Sequence, residues 1–331
     1  MKRRTVLKTL GAFACLGLPG PGRAAQSTFG PRPVSIIVPY APGGVTDIAG
    51  RVMAEILNKH YDHTVVVENR PGASGLIGLQ AVAAAKPDGH ALVIGGLGSN
   101  VIPPAVTRGL PLDIVKAFVP IAQAAEFVNV LVVTRDAPYA TVPELVQAIR
   151  AAPPGHFTYG STGVGSSVHL ASEFFAQTQQ VKLTHVPYRG GSEMMVDLVN
   201  GGLQLCFNNL PAVLPLIRSG KVRPVAVTSS YRTAHLPDVP TMQEQGVADF
   251  DVASWLGIYG PAAMPAPLVQ ELGTVLAQGL AQPAYREKLQ VAGFEPKPAD
   301  SAGFAERNRQ EFIRWRDIAQ RAGISLQFGQ A

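Results

Sequence analysis

The sequence predicts an α/β protein of two lobes, each an open and mostly parallel sheet flanked by helices, with two crossing strands between the lobes. Short β-branched runs alternate with segments of helical apolar spacing along most of the chain. The alternation forms two blocks, which are separated by a long extended apolar stretch, VPIAQAAEFVNVLVVT (119–134). At 331 residues the chain is also too long for one small core.

The first block reads strand–helix–strand–helix–strand. VSIIV (34–38) is a β-branched run typical of a buried strand, and apolar residues from Ile48 to Leu57 keep helical spacing after it. The remaining strand, helix and strand are predicted at residues 63–69, 76–86 and 90–96. Because strands and helices that alternate in this way form right-handed crossovers, the block predicts a parallel sheet.

The second block opens on Thr141-Val142-Pro143-Glu144, a capping box with proline in the first helical turn. Its strands are predicted at residues 157–161, 183–188, 203–209 and 222–229. The helices between them are predicted at about residues 166–177, 192–200 and 212–218. We expect the stretch 119–134 to carry the chain into this block and the strand 222–229 to carry it back.

A strand at 252–262 and helices at about 267–291 and 302–322 complete the chain. Lobe 1 is therefore predicted to be discontinuous, with residues 31–128 plus 229–331, and lobe 2 to span residues 129–228. The arginines of the last helix are interpreted as a solvated face rather than as a partner surface, and they lie at positions 307, 309, 314, 316 and 321.

The positive charge of the chain is confined to its first 25 residues. The net charge is +5, but residues 1–25 hold five basic residues and no acidic one. Removing these five from the 28 basic residues leaves 23, which equals the number of acidic residues. The remainder is neutral, so nothing in the charge favours a nucleic-acid partner.

The same 25 residues have the pattern of an export signal. A basic start, MKRR, precedes the short apolar run LGAFACLGLP and small residues at 22–25. We expect cleavage after Ala24 or Ala25, export to the periplasm, and either the Sec or the twin-arginine route, because RRTVLK resembles a twin-arginine signal. Removal of Cys15 is preferred over a lipid anchor there. The mature chain then keeps only Cys206, so no intrachain disulfide forms.

Glycine-rich corners follow strands at several places. VPYAPGGVTD (38–47) and VPYRGGSEMMVD (186–197) nearly repeat each other, while YGSTGVGSSVHL (159–170) and GGLGSN (95–100) end strands in the same manner. A glycine lets the backbone approach a ligand, and the helix that follows offers free N–H groups at its positive end. Four such corners in two lobes predict a small anion held in a cleft between them.

Some side chains near the corners leave alternatives open. Asp47 either favours the start of its helix electrostatically, contacts an ammonium group of a ligand, or orders the loop. Arg189 is either a surface arginine or a clamp on a carboxylate. Tyr40 and Tyr188 are predicted to pack, with their hydroxyls free to reach the cleft. We expect Asn208 to cap the end of its strand.

No catalytic or metal motif emerges from the sequence. His169 and Glu173 have metal-ligand spacing on one helix, but a structural histidine is the preferred interpretation because no further ligands accompany them. The glycine-rich segment GSTGVGSS lacks the lysine of a phosphate-binding loop and the third glycine of a dinucleotide site. We therefore expect no cofactor and no metal.

Several segments together resemble the Bug family, the extracytoplasmic solute receptors of tripartite tricarboxylate transporters. They are VPYAPGGVTD, VVVENRPGASGLIG, KPDGHALVIG, YGSTGVGSSVHLASEFF, the long run from VPYRGGSEMMVD to VRPVAVTS, and LPDVPTMQEQG. The resemblance covers about residues 31–331. It implies a periplasmic binding protein fold of the type II-like kind, which has two lobes and two crossing strands. It also implies a non-enzymatic monomer that binds a carboxylate and delivers it to membrane permease subunits.

The resemblance and the corners together predict the ligand-binding residues. These are Tyr40, Gly43, Gly44, Val45, Thr46, Asp47, Ser99, Asn100, Ser161, Thr162, Gly165, Ser166, Ser167, His169, Tyr188, Arg189 and Gly190. The implied ligands are dicarboxylates, tricarboxylates, acidic amino acids or aromatic acids. Two alternatives remain: an exported α/β enzyme that acts on a carboxylic acid with His169, Glu173 or Asp47 as acid or base, and a ligand-sensing module for a signalling partner.

Overall fold

A computed structural model of the protein describes Phe29 and residues 32–163, 166–188, 190–322 and 325–328, without the side chains of residues 321 and 322. The predicted export signal at residues 1–25 lies outside the described residues, as do Gly165 and Arg189. In the part of the chain that is described, no helix is both long enough and apolar enough to cross a membrane.

The first block forms the predicted parallel sheet. Strand β1 (Val34–Val38) lies between β2 (Val65–Asn69) and β3 (Ala91–Gly96), and both pairings are parallel. Helix α1 (Val45–Tyr61) connects β1 to β2, and α2 (Leu76–Ala83) leads to β3. The β-branched residues of β1 are buried because helices cover this part of the sheet.

The segment between β3 and the long stretch 119–134 holds short elements that the sequence analysis did not predict. A single π-helical turn (Leu97–Val101) follows β3 directly. The short elements that come next are α3 (Ile102–Val106), β4 (Thr107–Arg108) and α4 (Ile114–Ala117). Elements of two to five residues give too little periodicity to be recognised from sequence.

The apolar stretch is one continuous strand, as predicted. Strand β5 runs for 17 residues from Phe118 to Thr134, and every residue from Ile121 to Val133 is buried. Burial on both faces explains why the strand reads as an apolar run without alternation.

The second block also follows the predicted alternation. Its helices are α5 (Val142–Ala151), α6 (Ser167–Thr178), α7 (Gly191–Val199) and α8 (Leu210–Arg218). Its strands are β6 (Thr158–Ser161), β7 (Thr184–Pro187), β8 (Leu205–Asn209) and β9 (Val222–Val227). Thr141 and Glu144 form the predicted capping box of α5. Cys206 lies fully buried in β8 as a free thiol, and burial raises its pKa.

The last part of the chain differs from the prediction in two ways. Strand β10 (Ala253–Pro261) has the expected position, but the helix predicted over 267–291 is two helices, α9 (Ala266–Ala281) and α10 (Pro283–Val291). The break occurs because Gln282 has extended backbone and Pro283 starts the next helix. Two strands were not predicted, β11 (Glu295–Ala299) and β12 (Leu326–Gln327), which flank α11 (Ser301–Ala322).

Strand β5 joins the two blocks into one curled sheet of ten strands, whose main order is β2-β1-β3-β10-β5-β8-β6-β7. It pairs with β10 up to Val128 and with β8 from Asn129 onward, in both cases antiparallel. After β9 the chain passes back toward β10 at Thr228, whose hydroxyl contacts the carbonyl oxygens of both Asn129 and Val252. The exchange of partners at 128/129 matches the predicted lobe boundary, although the division into 31–128 plus 229–331 and 129–228 stays a prediction.

Glu126 ties the crossing strand to the C-terminal elements. Its buried carboxylate accepts hydrogen bonds from Lys297 on β11 and from Arg307 on α11. The interpretation of Arg307 as part of a solvated face was therefore wrong for that one arginine. Sequence periodicity did not reveal the pairing of Glu126 with Arg307, because these two residues are 181 positions apart.

We predict that Glu126→Gln lowers the free energy of unfolding by about 1.5 to 3 kcal/mol, because hydrogen bonds to a charged group are lost inside the fold. Equilibrium urea unfolding measures this change. Glu306→Gln is the matched control, since Glu306 pairs with Arg309 on the solvated face of α11 and its replacement should have a much smaller effect. Equal losses in the two variants would contradict the assignment.

Candidate functional site

The first corner joins β1 to α1 through the sequence YAPGG. Gly43 adopts a left-handed φ of +81°, which favours glycine, and Gly44 is the N-cap of α1 with extended backbone. A Cβ atom added at Gly44 would meet nothing closer than the carbonyl oxygen of Ala41 at 3.7 Å. The start of α1 is therefore open on this side, and its first N–H groups have no acceptor within the helix.

Asp47 orders this corner from within. Its carboxylate accepts hydrogen bonds from the backbone N–H of Gly43 at 3.1 Å, from the guanidinium of Arg51 at 3.0 Å through two nitrogens, and from Asn69 Nδ2 at 3.1 Å. Asn69 Nδ2 also contacts the carbonyl oxygen of Tyr40 at 3.1 Å. Burial by itself would raise the pKa of Asp47, but the hydrogen bonds from Arg51, Gly43 and Asn69 outweigh it and hold that pKa below its usual value. Of the alternatives for this residue, the geometry supports ordering of the loop.

The second corner lies between β6 and α6. Ser166 is the N-cap of α6, and its Oγ accepts from the backbone N–H of His169 at 3.3 Å. Ser161 is fully buried, with its Oγ 2.6 Å from Nε2 of His185 and 3.1 Å from the backbone nitrogen of Gly163. Ser161 therefore holds the loop from its inner side, whereas Ser166 stands at the open start of the helix.

The third corner leads from β7 into α7. Gly190 is the extended N-cap of α7, and the backbone N–H of Tyr188 donates to the carbonyl oxygen of Ser161 at 2.9 Å. The second and third corners are thus hydrogen-bonded to each other. The hydroxyl of Tyr188 donates to Asp197 on α7 at 2.6 Å. The prediction that this hydroxyl is free to reach the cleft was therefore wrong.

The fourth corner, after β3, is tightly packed. Ser99 Oγ accepts from the backbone N–H of Gly96 at 3.0 Å and donates to Asn100 Oδ1 at 2.7 Å. A Cβ atom at Gly95 would lie 2.0 Å from Asn100 Oδ1, and one at Gly96 would lie 2.0 Å from the carbonyl oxygen of Trp255. Only glycine fits at both positions.

The four corners meet around one cleft, whose volume is about 740 Å³ including its open mouth. Nine of the predicted ligand-binding residues line it: Tyr40, Gly44, Val45, Thr46, Ser99, Thr162, Ser166, Ser167 and Gly190. Six others do not line it: Gly43, Asp47, Asn100, Ser161, His169 and Tyr188. Asp47, Asn100, Ser161 and Tyr188 instead make hydrogen bonds within the corners. The remaining two, Gly165 and Arg189, lie outside the described residues.

The rest of the wall comes from residues that the sequence analysis did not assign to the site. Phe127, Asn208, Asn209, Ser254, Trp255, Leu256 and Ala212 are among them. Most lie on β5, β8 and β10, the strands that meet at the crossing. One signal was present in the sequence: polar residues interrupt otherwise apolar strands at Asn208 and Ser254. Within the described chain no charged side chain lines the cleft.

His169 and Glu173 belong to a separate buried cluster. The His169 and His185 rings lie 4.4 Å apart between centroids, and the hydroxyl of Tyr159 donates to Glu173. Neither His169 nor Glu173 lines the cleft. Burial, with a smaller contribution from His185, lowers the pKa of His169 to about 4. No group of three potential metal ligands occurs among the residues for which positions are described.

We predict that this cluster makes stability depend on pH. The folded chain binds a proton at His169 only near pH 4, whereas the unfolded chain binds it near pH 6.5. Because the unfolded state then holds more protons, the free energy of unfolding should fall by about 2 to 3 kcal/mol as pH is lowered through this window.

Urea titrations at pH 7 and pH 4.5 measure this dependence. His169→Gln should remove most of it, whereas the control His60→Gln, at an exposed position on α1, should leave it unchanged. An unchanged pH dependence in His169→Gln would show that other groups carry the effect.

Comparison with known proteins places the chain in a family. Residues 49–324 match the family described as tripartite tricarboxylate transporter family receptor (TctC). Protein BugT of Bordetella pertussis (strain Tohama I) is 32% identical over 334 residues, with 98% of this chain and 100% of BugT covered.

Solved structures agree with this. A structure of R. palustris Rpa4515 with adipate has a TM-score of 0.85 and 34% identity, covering 89% of this chain and 99% of that one. The structure of the periplasmic binding protein BugD has a TM-score of 0.84 and 31% identity, covering 90% of this chain and 100% of that one. The structure of MatC of Rhodopseudomonas palustris with bound malate has a TM-score of 0.83 and 29% identity, covering 88% of this chain and 99% of that one. With the corners, the crossing strands and these likenesses together, the chain belongs to the receptor family of tripartite tricarboxylate transporters.

Proposed function

We propose that the protein captures a small carboxylate-bearing metabolite in the cleft and delivers it, chemically unchanged, to the membrane subunits of a tripartite tricarboxylate transporter. The observation that carries the proposal is the meeting of glycine-rich helix starts from both halves of the sheet at one cleft. Two related proteins of this fold were solved with adipate and with malate, and both of these molecules are carboxylates.

The helix starts supply the attraction for a carboxylate. Helices α1, α6 and α7 have 17, 12 and 9 residues, and each begins at the cleft with free backbone N–H groups. The positive end of a helix dipole stabilises an anion placed there, even without a basic side chain. Donors fixed in the backbone also need little ordering when the ligand arrives, which favours affinity.

The proposed ligand-binding residues follow from the position of each in the wall. The lining residues Gly44, Val45, Thr46, Thr162, Ser166, Ser167 and Gly190 are proposed to contact the carboxylate, with Tyr40 and Ser99 beside them. Gly43, Asp47, Asn100, Ser161, His169 and Tyr188 act through the loops that they hold. For Gly165 and Arg189 we keep the prediction that they contact the ligand.

Release of an unchanged ligand is part of the proposal. The acid–base alternative needs His169, Glu173 or Asp47 next to the ligand. The first two lie outside the wall, and the carboxylate of Asp47 is occupied by Gly43, Arg51 and Asn69. Chromatography of a ligand recovered after long incubation tests this: a single unaltered species is expected, and a new product would favour the enzyme.

The remaining expectations concern location and assembly. We propose that the protein is exported to the periplasm and acts there as a monomer.

We also propose that the two halves close about β5 and Thr228 when the ligand binds. Small-angle scattering with and without saturating ligand measures the closure, and an unchanged profile would contradict it.

We predict that a panel of carboxylates includes at least one that stabilises the protein prepared without its first 25 residues. A ligand at a hundredfold excess over its dissociation constant adds about 2.7 kcal/mol to the free energy of unfolding, because it binds only the folded state. Thermal-shift screening measures this. A panel of dicarboxylates, tricarboxylates, amino acids and aromatic acids without any stabilising member would contradict the proposed function.

We predict that Gly44→Val abolishes binding and spares the fold. Nothing lies within 3.7 Å of the added Cβ atom, and Gly44 has a negative φ that valine adopts, so the side chain should be accommodated. It would, however, occupy the space in front of the first N–H groups of α1. Calorimetric titration measures the loss. Gly44→Ala is the graded comparison, with a smaller loss expected, and wild-type affinity in Gly44→Val would refute the site.

We predict that Ser166→Ala weakens binding by about 1 kcal/mol through loss of one neutral hydrogen bond. It should also lower the free energy of unfolding by about 1 kcal/mol, because the N-cap of α6 is lost. Ser172→Ala is the control: Ser172 lies buried on the same helix and donates to the carbonyl oxygen of Val168, outside the cleft wall. That variant should lose stability but keep its affinity. Equal affinity losses in the two variants would refute a direct role for Ser166.

A further inference from the structure

The wall of the cleft carries polar atoms that are buried and have no hydrogen-bond partner. They are Asn208 Nδ2, Asn209 Oδ1, Ser254 Oγ and Trp255 Nε1. The residues lie on the two strands that flank β5, where Asn208 pairs with Val130 and Ser254 with Phe127. A buried polar atom without a partner is costly, so a cluster of them in a cleft wall indicates that an occupant supplies the partners.

Asn208 is held in one orientation. Its Oδ1 accepts from the backbone N–H of Asn209 at 2.8 Å, which assigns the oxygen and leaves Nδ2 as the unpaired donor. The side chain is 1% exposed. The strand-end cap that the sequence predicted thus uses only the oxygen of the carboxamide, and Nδ2 is left without a partner among the described residues.

The cleft has no anion to receive an ammonium group. All Asp and Glu residues of the chain lie within the described ranges, and none of them lines the cleft. Asp47, on the helix that begins at the cleft, is already engaged by Gly43, Arg51 and Asn69. An ammonium buried beside Asn208 Nδ2 would therefore face a donor, and it would exchange its hydration for neutral acceptors such as Asn209 Oδ1 without any charged partner.

We propose that Asn208, together with Ser254, is the specificity-determining pair for the part of the ligand that lies against β8 and β10. The ligand class is then a carboxylate that carries a further hydrogen-bond acceptor there, either a second carboxylate or a hydroxyl, and carries no ammonium. This inference rests on the proposed function and narrows its ligands by excluding amino acids.

Calorimetric titration of the wild-type protein with two matched sets of acids tests the inference. One set is adipate, 6-hydroxyhexanoate, hexanoate and 6-aminohexanoate, and the other is the equivalent set with four carbons. An acceptor-bearing acid should bind about tenfold more tightly than the unsubstituted acid of its length. The amino acid should bind no better than the unsubstituted acid.

The outcomes separate the two proposals. The acceptor-bearing acids are the dicarboxylate and the hydroxy acid of each set. If either the amino acid or the unsubstituted acid binds as tightly as these, the specificity inference is overturned while the proposed function stands. If none of the eight acids binds, and the wider carboxylate panel is also negative, the proposed function fails and the inference fails with it.

Asn208→Asp provides the converse test, since it replaces the donor with an anionic acceptor of the same shape. We expect 6-aminohexanoate or its four-carbon equivalent to gain at least about tenfold relative to the acceptor-bearing acid. Asn58→Asp, on the exposed side of α1, is the control for net charge and should keep the wild-type order.

Ser254→Ala keeps the inference testable if Asn208→Asp does not fold. It should reduce the preference for the acceptor-bearing acid over the unsubstituted acid by about threefold to tenfold. A wild-type order of affinities in folded Asn208→Asp, or an unchanged preference in Ser254→Ala, would overturn the assignment of that residue.

Discussion

The structure depends on one strand whose backbone hydrogen bonds serve both halves of the sheet. Strand β5 is long enough to pair with β10 along its first part and with β8 and β9 along its second. Its buried amide and carbonyl groups must all be paired, so the two halves cannot separate without breaking a continuous ladder. The proposed closure of the halves would therefore require bending of this strand and of the chain near Thr228, where β5 exchanges its partners.

The cleft arises because strand ends from two parallel arrangements face each other across that strand. Strands β1, β6 and β7 each end in a corner and a helix start, and the curl of the sheet brings these three starts to one cleft. Asp47 and Ser161 show how the corners keep their shape: the side chain of each accepts a hydrogen bond from a backbone N–H of its own loop, from Gly43 and from Gly163. Because helix starts line the cleft, the proposed recognition of an anion needs no basic residue in the described wall.

Local patterns in the sequence predicted the alternating elements, the long crossing strand and the four corners, because each depends on neighbours along the chain. The sheet order and the pairing of Glu126 with Arg307 depend on residues far apart in sequence and were not predictable in this way. The same limit applies within the site. The corner motifs and the family resemblance placed Asp47, Ser161 and His169 near the ligand but did not reveal where their side chains point. They also did not reveal that Asn208 and Ser254 line the same cleft.

The buried thiol of Cys206 has a practical consequence. It lies inside the core against α7 and α8 with its pKa raised by burial, so it is a poor nucleophile toward reagents in solution. Residues 26–331 contain no other cysteine. A cysteine introduced at an exposed position on the rim of the cleft would thus react alone, and an environment-sensitive dye attached there would turn the protein into an optical sensor for its own cargo.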